Sequence, residues 1–330
     1  MRHRSFSKAK YSGKKLKTQR DRFLAEIERI TLWEEFIVEL EPHYPKSTSL
    51  GRPPRSIYTM LRMYIAQQCF DLPDEGIEDA IHECMVIRNC GGIALSAKET
   101  PDATNLMKFR CLLEDNQLTK QVFATIANLL NMQGSISKDG AVVDGTIILA
   151  ASLSKDRDKE RDPEMHQTKR SNEWHFGMKA HINVDARNGA VHTLQTKSAN
   201  TANITKGLGL LHGEEKLEFA DTSYHGIEKP TQVNTNSNAT WCAGIRPSKR
   251  KTTGKKCVDQ VTCLLERMKF SIRVSLEHPF HYIKNIFGLK KIRYIGLAKN
   301  TAQPYMLFAI ANLLITNKRK CALHAQGVAC

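Results

Sequence analysis

The sequence predicts an α/β fold in which a helical first half precedes a mixed sheet flanked by helices. Three observations support this prediction. Apolar residues recur at helical spacings of three and four in segments between Phe23 and Asn131. From Gly140 the pattern changes to short β-branched runs, the first of which is Ala141–Leu149. A late amphipathic segment, Leu264–Gly288, returns to helical spacing.

The composition is that of a globular protein with a polyanionic partner. The 330 residues are 41% hydrophobic and 25% charged. The formal net charge of +15 favours binding to a polyanion, most simply nucleic acid. The late apolar run Met306–Ile315 is too short to cross a membrane, and the basic N-terminus lacks the apolar segment of a secretory signal. We therefore expect a cytoplasmic protein with no membrane partner.

The cysteines also indicate a reducing compartment. There are nine, an odd number, and they are scattered without a C-x-x-C motif. Cys257 and Cys263, followed by His278 and His281, superficially resemble a zinc site, but their spacings do not match a zinc finger. We therefore do not expect a zinc site.

The first 56 residues form a predicted unit made of an arm, a helix and a connector. Met1–Arg22 carries nine basic residues against a single acid, Asp21. This segment is either a solvated tail or an arm that contacts DNA phosphates. The connector Glu41–Ser56 is rich in proline and glycine, which interrupt regular structure.

The helical half has the character of a DNA-binding domain, which we place at residues 57–137. The helices predicted in the first half of the chain are Phe23–Leu40, Ile57–Phe70, Asp74–Met85, Asn105–Leu113 and Gln117–Asn131. Asp102 can cap the fourth of these, which presents Lys108 and Arg110 as candidate DNA contacts. Helices of this length with short turns are typical of helix-turn-helix domains. Periodicity alone does not distinguish such a domain from a generic helical bundle.

The first predicted strand contains a carboxylate in an unusual setting. Ala141–Leu149 is almost wholly apolar, as a central buried strand should be, yet it includes Asp144. A charge buried in such a strand is costly unless it is paired or bound to a metal. Asp144 is therefore a candidate metal ligand.

A predicted hairpin follows a charged loop. Mixed charges over Lys155–Arg170 predict the loop, and Trp174–Asp185 and Ala190–Thr196 predict the two strands. Lys179 and His181 alternate onto one face of the first strand. These two side chains either line a cleft or have only a structural place in the strand.

A second acid lies at the end of a later strand. Asn203–Leu211 is a predicted short helix, Lys216–Asp221 a strand that ends in a carboxylate, and Thr240–Ile245 an edge strand. The order of the predicted elements is that of an RNase H-like fold. A strand with an acid is followed by a three-strand meander, a helix, a second strand with an acid and then a helix with an acid. In that layout Asp144 and Asp221 lie on neighbouring central strands.

The segment Leu264–Gly288 is predicted to form one helix with a buried face. Its apolar face consists of Leu265, Met268, Ile272, Leu276, Phe280, Ile283 and Phe287. An edge beside that face consists of Phe270, Arg273, Glu277, His281 and Lys284. Pro279 is expected to kink the helix just past Glu277. The edge is either part of a site or an ordinary solvated face with an Arg–Glu pair.

The spacing Arg273-x3-Glu277-x6-Lys284, with an aromatic at Phe270, resembles the Y-x2-R-x3-E-x6-K signature of DDE transposases from bacterial insertion sequences, in an IS-five-like group. Other stretches resemble that family in order along the chain: Gly51–Pro54, Met60–Tyr64, Pro101–Thr104, Asp162–Lys169, Gly177–His181, Asp221–Gly226 and Arg293–Asn300. The chain departs from the family pattern at Phe270, which replaces tyrosine, at Ser223, which replaces glycine, and at Asn203, which replaces aspartate.

The resemblance implies an enzyme that cuts double-stranded DNA at the inverted ends of its own element and joins those ends to target DNA. It implies that Asp144, Asp221 and Glu277 hold two Mg²⁺ ions, for which Mn²⁺ can substitute. Carboxylate oxygens are the ligands that Mg²⁺ prefers, and a pair of such ions suits phosphodiester cleavage.

The resemblance also implies partners and a location. The residues expected near DNA are Phe270, Arg273, Lys284, Lys179, His181, Lys108 and Arg110. Because two element ends must be cut together, we expect a homodimer on DNA, in the bacterial cytoplasm and associated with the nucleoid.

The catalytic domain is predicted at residues 138–318, with an unstructured tail at 319–330. Two other functions stay open. A decayed copy would bind DNA without transposing; the departures from the family pattern raise this alternative, and the presence of all three acids argues against it. A stand-alone RNase H-like metal nuclease would cut DNA without specificity for the element ends.

Overall fold

The computed structural model describes most of the chain, in separate stretches. These stretches are residues 17–46, 53–93, 100–136, 140–151, 161–170, 172–201, 210, 217–220, 240–243, 256–274 and 277–325. Within them, a helical N-terminal region precedes a mixed sheet and a set of C-terminal helices. Asp221, nearly all of the predicted helix Asn203–Leu211 and most of the basic arm lie outside the described residues.

Two helices of the helical region begin with side-chain caps. It contains α1 (Gln19–Ile30), α2 (Trp33–Leu40), α3 (Ile57–Cys69), α4 (Asp74–Glu83), α5 (Met85–Cys90), α6 (Ala103–Asp115) and α7 (Leu118–Met132). Thr18 and Asp21 form a capping box at the start of α1. The predicted cap on α6 is present, since the Asp102 carboxylate accepts a hydrogen bond from the Asn105 amide at 2.7 Å.

Two predicted helices are each divided in the structure. The segment Phe23–Leu40 is interrupted because Thr31 adopts an extended conformation, with ψ at 130°, and ends α1. The segment Asp74–Met85 is interrupted at Cys84, which is also extended and separates α4 from α5. Periodicity continues across both breaks because the helices on either side bury their apolar faces in the same core.

The described strands form one mixed sheet. They are β1 (Gly140–Leu149), β2 (His166–Arg170), β3 (Glu173–Asp185), β4 (Val191–Ser198), β5 (Leu217–Ala220) and β6 (Thr240–Ala243). Their order is β2-β3-β1-β5-β6, and β4 also pairs with β3. The prediction that Lys155–Arg170 is entirely a loop was wrong, because its last five residues form β2 against β3.

The sheet holds Asp144 at its centre. Strand β1 pairs antiparallel with β3, where Asp144 lies opposite Ile182. On its other side β1 pairs in parallel with β5, where Val143 lies opposite Ala220. Asp144 thus occupies a strand with a neighbour on each side, as expected of a central strand.

The C-terminal part is built from three helices and a π-helical turn. These are α8 (Lys256–Val274), α9 (Glu277–His281), the π-helical turn (Tyr282–Ile286) and α10 (Leu297–Ala325). The prediction of one helix over Leu264–Gly288 was therefore wrong in its bounds. Pro279 lies in the first turn of α9, where its missing N–H is tolerated. The predicted tail after Lys320 is helical as far as Ala325.

The predicted buried face of this region is only partly buried. Ile283 and Phe287 are buried as expected. Leu265 and Met268, on α8, are more than half exposed, as are Val261 and Leu264. Spaced three and four apart, these side chains form an exposed apolar stripe on one side of α8.

One hydrophobic core joins the helical region to the sheet. The buried cluster extends from Leu24 to Ile315 without a break between the two parts. Helix α10 lies at its centre and contacts α1, α3, α6, α7 and β4. The apolar run Met306–Ile315 is buried here, and no described helix is long and apolar enough to cross a membrane. The buried Asn312 amide bonds both backbone groups of Val191, at 2.8 and 2.6 Å, and so fixes α10 to β4.

Candidate active site

Asp144 interrupts a row of buried side chains on one face of β1. Side chains alternate along a strand, so Asp144 shares a face with Val142, Thr146 and Ile148. All three of these neighbours are buried, whereas Asp144 is partly exposed. One of its carboxylate oxygens accepts a hydrogen bond from the Gly145 amide at 2.7 Å. The carboxylate is thus positioned at the boundary between the core and an accessible surface.

Lys284, on the π-helical turn, lies within the electrostatic influence of Asp144. Partial burial lowers the pKa of the Lys284 ammonium, and the positive charge of Arg170 lowers it further. The negative charge of Asp144 acts in the opposite direction and raises that pKa. Lys284 also lines a cavity of about 510 Å³ with Ile147, Leu149, Phe280, His281, Asn285 and Lys290. The charge of Asp144 thus acts on Lys284. The cavity itself is lined by Ile147 and Leu149, which alternate onto the other face of β1 from Asp144.

Lys179 adds a second partly buried cation near this region. It lies opposite Ile147 in the β1–β3 register, and its ammonium donates to the Thr201 carbonyl at 3.2 Å. Burial lowers its pKa, and the positive charge of Arg170 lowers it further. Arg170 thus repels both lysines, and Arg170, Lys179 and Lys284 form a cationic cluster. A bound polyanion would offset the repulsion that Arg170 exerts on the two lysines.

The sequence did not single out Arg170 as a site residue. It lies at the end of β2, in the segment predicted to be a mixed-charge loop. Among many alternating charges, no spacing distinguished this arginine from its neighbours. Its position became apparent only from the pairing of β2 with β3.

Three other candidate DNA contacts have different surroundings. Lys108 is exposed on α6. Arg110 is largely buried and forms ion pairs with Asp74 at 2.6 Å and with Glu114 at 3.6 Å. His181 is fully buried in the sheet. Of these three residues, only Lys108 has a side chain that DNA can reach in this conformation.

The remaining predicted site residues are described only in part. The backbone of Glu277 begins α9, and those of Phe270 and Arg273 lie in α8, but all three side chains fall outside the description. Asp221 directly follows Ala220, the last residue of β5. Among the side chains that are described, no group of three His, Cys, Asp or Glu is placed to hold a metal ion. Asp144 is the one predicted ligand within that set.

Comparison with known protein families gives two matches. A family model described as "Transposase DDE domain" matches residues 136–313, more than half of the chain. A second, "Transposase domain (DUF772)", matches residues 12–112. The chain belongs to the DDE transposase family. No solved structure matches it.

Family membership confirms the resemblance to DDE transposases of insertion sequences and the predicted fold class, while the IS-five-like group and its signature stay predictions. The mixed sheet with flanking helices is consistent with an RNase H-like DDE domain, preceded by an all-helical N-terminal region. DDE transposases act on DNA and normally use divalent metal ions. The transposase therefore has a nuclease-type function, and its cationic cluster and Asp144 lie within the part matched by the DDE domain.

Substitutions at Asp144 and Arg170 should move the pKa of Lys284 in opposite directions. Asp144→Asn should lower it further, because an attracting negative charge is lost. Arg170→Gln should raise it, because a repelling positive charge is removed. NMR titration of the protein with methylated lysines measures both shifts, and Lys284→Arg identifies the signal by its loss. The exposed Lys108 serves as a control that neither variant should affect. A higher pKa of Lys284 in Asp144→Asn, or an unchanged pKa in both variants, would contradict the electrostatic interaction of Lys284 with Asp144 and Arg170.

Proposed function

We propose that this transposase cuts DNA at the terminal inverted repeats of its own insertion sequence and joins the ends to target DNA. In this proposal Asp144, Asp221 and Glu277 are the catalytic carboxylates and hold two Mg²⁺ ions. The observation that supports it most strongly is a carboxylate in an apolar central strand with Lys284 close by. The family supplies the reaction class.

The strand register supports a pairing of Asp144 with Asp221. Val143 lies opposite Ala220 in the parallel pairing of β1 with β5. Asp144 and Asp221 are the next residues on their respective strands. If the register continues by one residue, the two carboxylates extend from the same face of the sheet on adjacent strands. Neighbouring strands lie roughly 5 Å apart, which allows two carboxylates to share metal ions.

The spacing along the C-terminal helices supports the third carboxylate. Glu277 begins α9, and Lys284 follows seven residues later on the π-helical turn. The two residues lie on one continuous helical segment, residues 277–286. The charge of Asp144 acts on Lys284, so the helical segment that carries Glu277 and Lys284 lies on the side of the molecule where Asp144 is. We therefore expect the Glu277 carboxylate to join the other two.

The donor set suits the metal that we propose. Three carboxylates provide the hard oxygen ligands that Mg²⁺ prefers, and Mn²⁺ accepts the same ligands. Bound ions would activate the attacking oxygen and stabilise the leaving oxygen of the phosphodiester. The chain itself would supply the positioning of the phosphate. Lys284 would contact it as a point charge and Arg273 as a bidentate donor, beside the aromatic ring of Phe270.

The wider DNA-binding surface follows the distribution of positive charge. The cationic cluster would hold phosphates next to Asp144, and Lys108 would contact the backbone from the helical region. The basic arm adds a sequence-independent electrostatic attraction. Arg110 and His181 are not part of this surface, because both are buried.

We also propose that the transposase acts as a homodimer on DNA, in the cytoplasm of its bacterial host. Cutting two element ends in one reaction requires two active sites. The exposed stripe on α8 consists of four half-exposed side chains, far fewer than the roughly 20–30 residues per partner of a stable interface. Protein contacts alone would then give a weak dimer, and DNA would stabilise it.

The mass of the complex on a pair of end DNAs tests the homodimer. Native mass measurement should give two protomers for each pair of ends. Without DNA, the monomer should predominate at low concentration. One protomer per pair of ends would contradict the homodimer.

Changing any one of the three acids to its amide should abolish cleavage without abolishing DNA binding. Asp144→Asn, Asp221→Asn and Glu277→Gln should each slow cleavage of end DNA at least about a thousandfold. Combining them should cost little more, because the acids act as a unit. The matched control is Glu75→Gln, an exposed acid on α4 that should leave cleavage unchanged.

The same variants separate the proposed function from its alternatives. Cleavage that survives in a folded Asp144→Asn protein would contradict the catalytic role. A wild-type protein that binds the ends but never cuts would indicate a decayed copy. Equal cleavage of DNA with and without the inverted repeats would indicate a general nuclease.

A further inference from the structure

We propose that Arg110 is a positioning residue for the active site. It acts through a junction between the helical region and the segment that follows the π-helical turn, and it fixes Lys284 relative to Asp144. We define the junction by Asp74, Arg110, Arg293 and Tyr294. The inference deepens the proposed function and rests on it for the role of Lys284.

Lys284 depends on its neighbours for its position. The π-helical turn that carries it is five residues long and joins α9 to the segment that follows it. At its end the Phe287 amide donates to the Tyr282 carbonyl, and the Leu289 amide donates to that of Ile283, both at 2.9 Å. The turn therefore moves with the segment that follows it, residues 287–296.

One side of this segment is attached to the end of β1. The Leu149 amide donates to the Lys290 carbonyl at 3.0 Å, and the Ile292 amide donates to the Leu149 carbonyl at 2.7 Å. Leu149 lies five residues beyond Asp144 on the same strand. These two hydrogen bonds connect the strand that carries Asp144 to the segment that holds Lys284.

The other side of the segment is held by the helical region. Arg293 donates to the Leu72 carbonyl at 2.6 Å and forms an ion pair with Asp71. Gly288, with φ at +80°, passes so close to Asp71 that a Cβ there would lie 3.2 Å from the Cβ of the aspartate. Phe287 packs against Phe23 of α1 with ring centroids 6.4 Å apart.

Arg110 completes the attachment through Tyr294. Its guanidinium carbon lies 4.3 Å from the centre of the Tyr294 ring, and it donates to the Tyr294 hydroxyl at 3.0 Å. The same guanidinium donates a hydrogen bond to the carboxylate of Asp74, on α4 of the helical region, at 2.6 Å. Burial raises the pKa of Tyr294, so the phenol stays neutral and keeps its hydroxyl as a hydrogen-bonding group. One buried cation thus joins α4, α6 and the segment after the π-helical turn.

The chain offers a matched control within the helical region. Arg62 on α3 pairs with Glu28 of α1 at 2.5 Å, and its guanidinium lies 4.7 Å from the ring of Trp33. This is the same combination of an acid and an aromatic ring. It joins α1, α2 and α3, whereas the junction joins the helical region to the catalytic part. A variant at Arg62 therefore loses the same kinds of contact without disturbing the junction, and it measures how that loss affects stability only.

The experiment compares Arg110→Met, Tyr294→Phe and Arg62→Met at a temperature where all three are folded. In Arg110→Met the single-turnover cleavage rate on end DNA should fall about tenfold to a hundredfold, as expected for a displaced catalytic group, while DNA affinity stays close to that of the wild type. Tyr294→Phe, which removes only the hydroxyl, should give a smaller loss of the same kind. Arg62→Met should keep the wild-type rate.

Amide hydrogen exchange provides a second readout that does not depend on activity. In Arg110→Met the amides of Leu149 and Ile292 should exchange about tenfold faster than in the wild type. In Arg62→Met their exchange rates should equal those of the wild type. If Arg110→Met matches Arg62→Met in rate and in exchange, or loses DNA affinity and rate together, the positioning role is wrong. Failure of the proposed function would instead appear as a wild-type protein that does not cleave, and the exchange comparison would still test the junction.

Discussion

The negative charge of Asp144 in an apolar strand is the constraint on which the proposed active site depends. A carboxylate removed from water is costly unless opposite charges or a metal compensate it. The structure brings Lys284 near it from the π-helical turn, and Arg170 and Lys179 add positive charge close by. Burial lowers the pKa of both lysines, and repulsion by Arg170 lowers it further. A phosphodiester backbone would relieve that repulsion, so the site is arranged for a polyanion before one binds.

Because one continuous hydrophobic core joins the helical region to the sheet, the position of that site depends on the packing of both. Helix α10 packs against β4 on one side and against four helices of the N-terminal region on the other. Arg110 and Arg293 then connect the helical region to the segment beside Lys284. A movement of the helical region on DNA would therefore reach the cations beside Asp144 through a few specific contacts.

Much of the fold was predictable, because it depends on local patterns. The apolar run of β1 and the Asp102 cap on α6 both depend on residues close in sequence. The features that sequence analysis missed depend on distant residues. Arg110 resembled a surface cation beside Phe109, yet its partners Asp74 and Tyr294 lie 36 and 184 residues away. Strand β2 was not predicted, because its exposed side chains show no alternation of apolar and polar residues within the charged segment.

The candidate site was predictable to a similar extent. The alternation of Lys179 and His181 indicated a shared strand face, but it did not show that His181 is fully buried. The helical pattern over Leu264–Gly288 indicated a buried face, but it did not show where the neighbouring elements end. Leu265 and Met268 are more than half exposed, although they continue the apolar spacing of that pattern. In both cases periodicity identified which residues share a side, and tertiary packing decided which sides are covered.

The central claim is that Asp144, Asp221 and Glu277 meet at one metal site, and metal-directed cleavage of the polypeptide tests it most directly. Fe²⁺ replaces Mg²⁺, and peroxide with ascorbate then produces hydroxyl radicals that cut the chain next to the ion. Our account predicts cuts near residues 144, 221 and 277 together, which disappear when excess Mg²⁺ is added and in Asp144→Asn. Cuts at only one of these positions, or an unchanged pattern in Asp144→Asn, would contradict it.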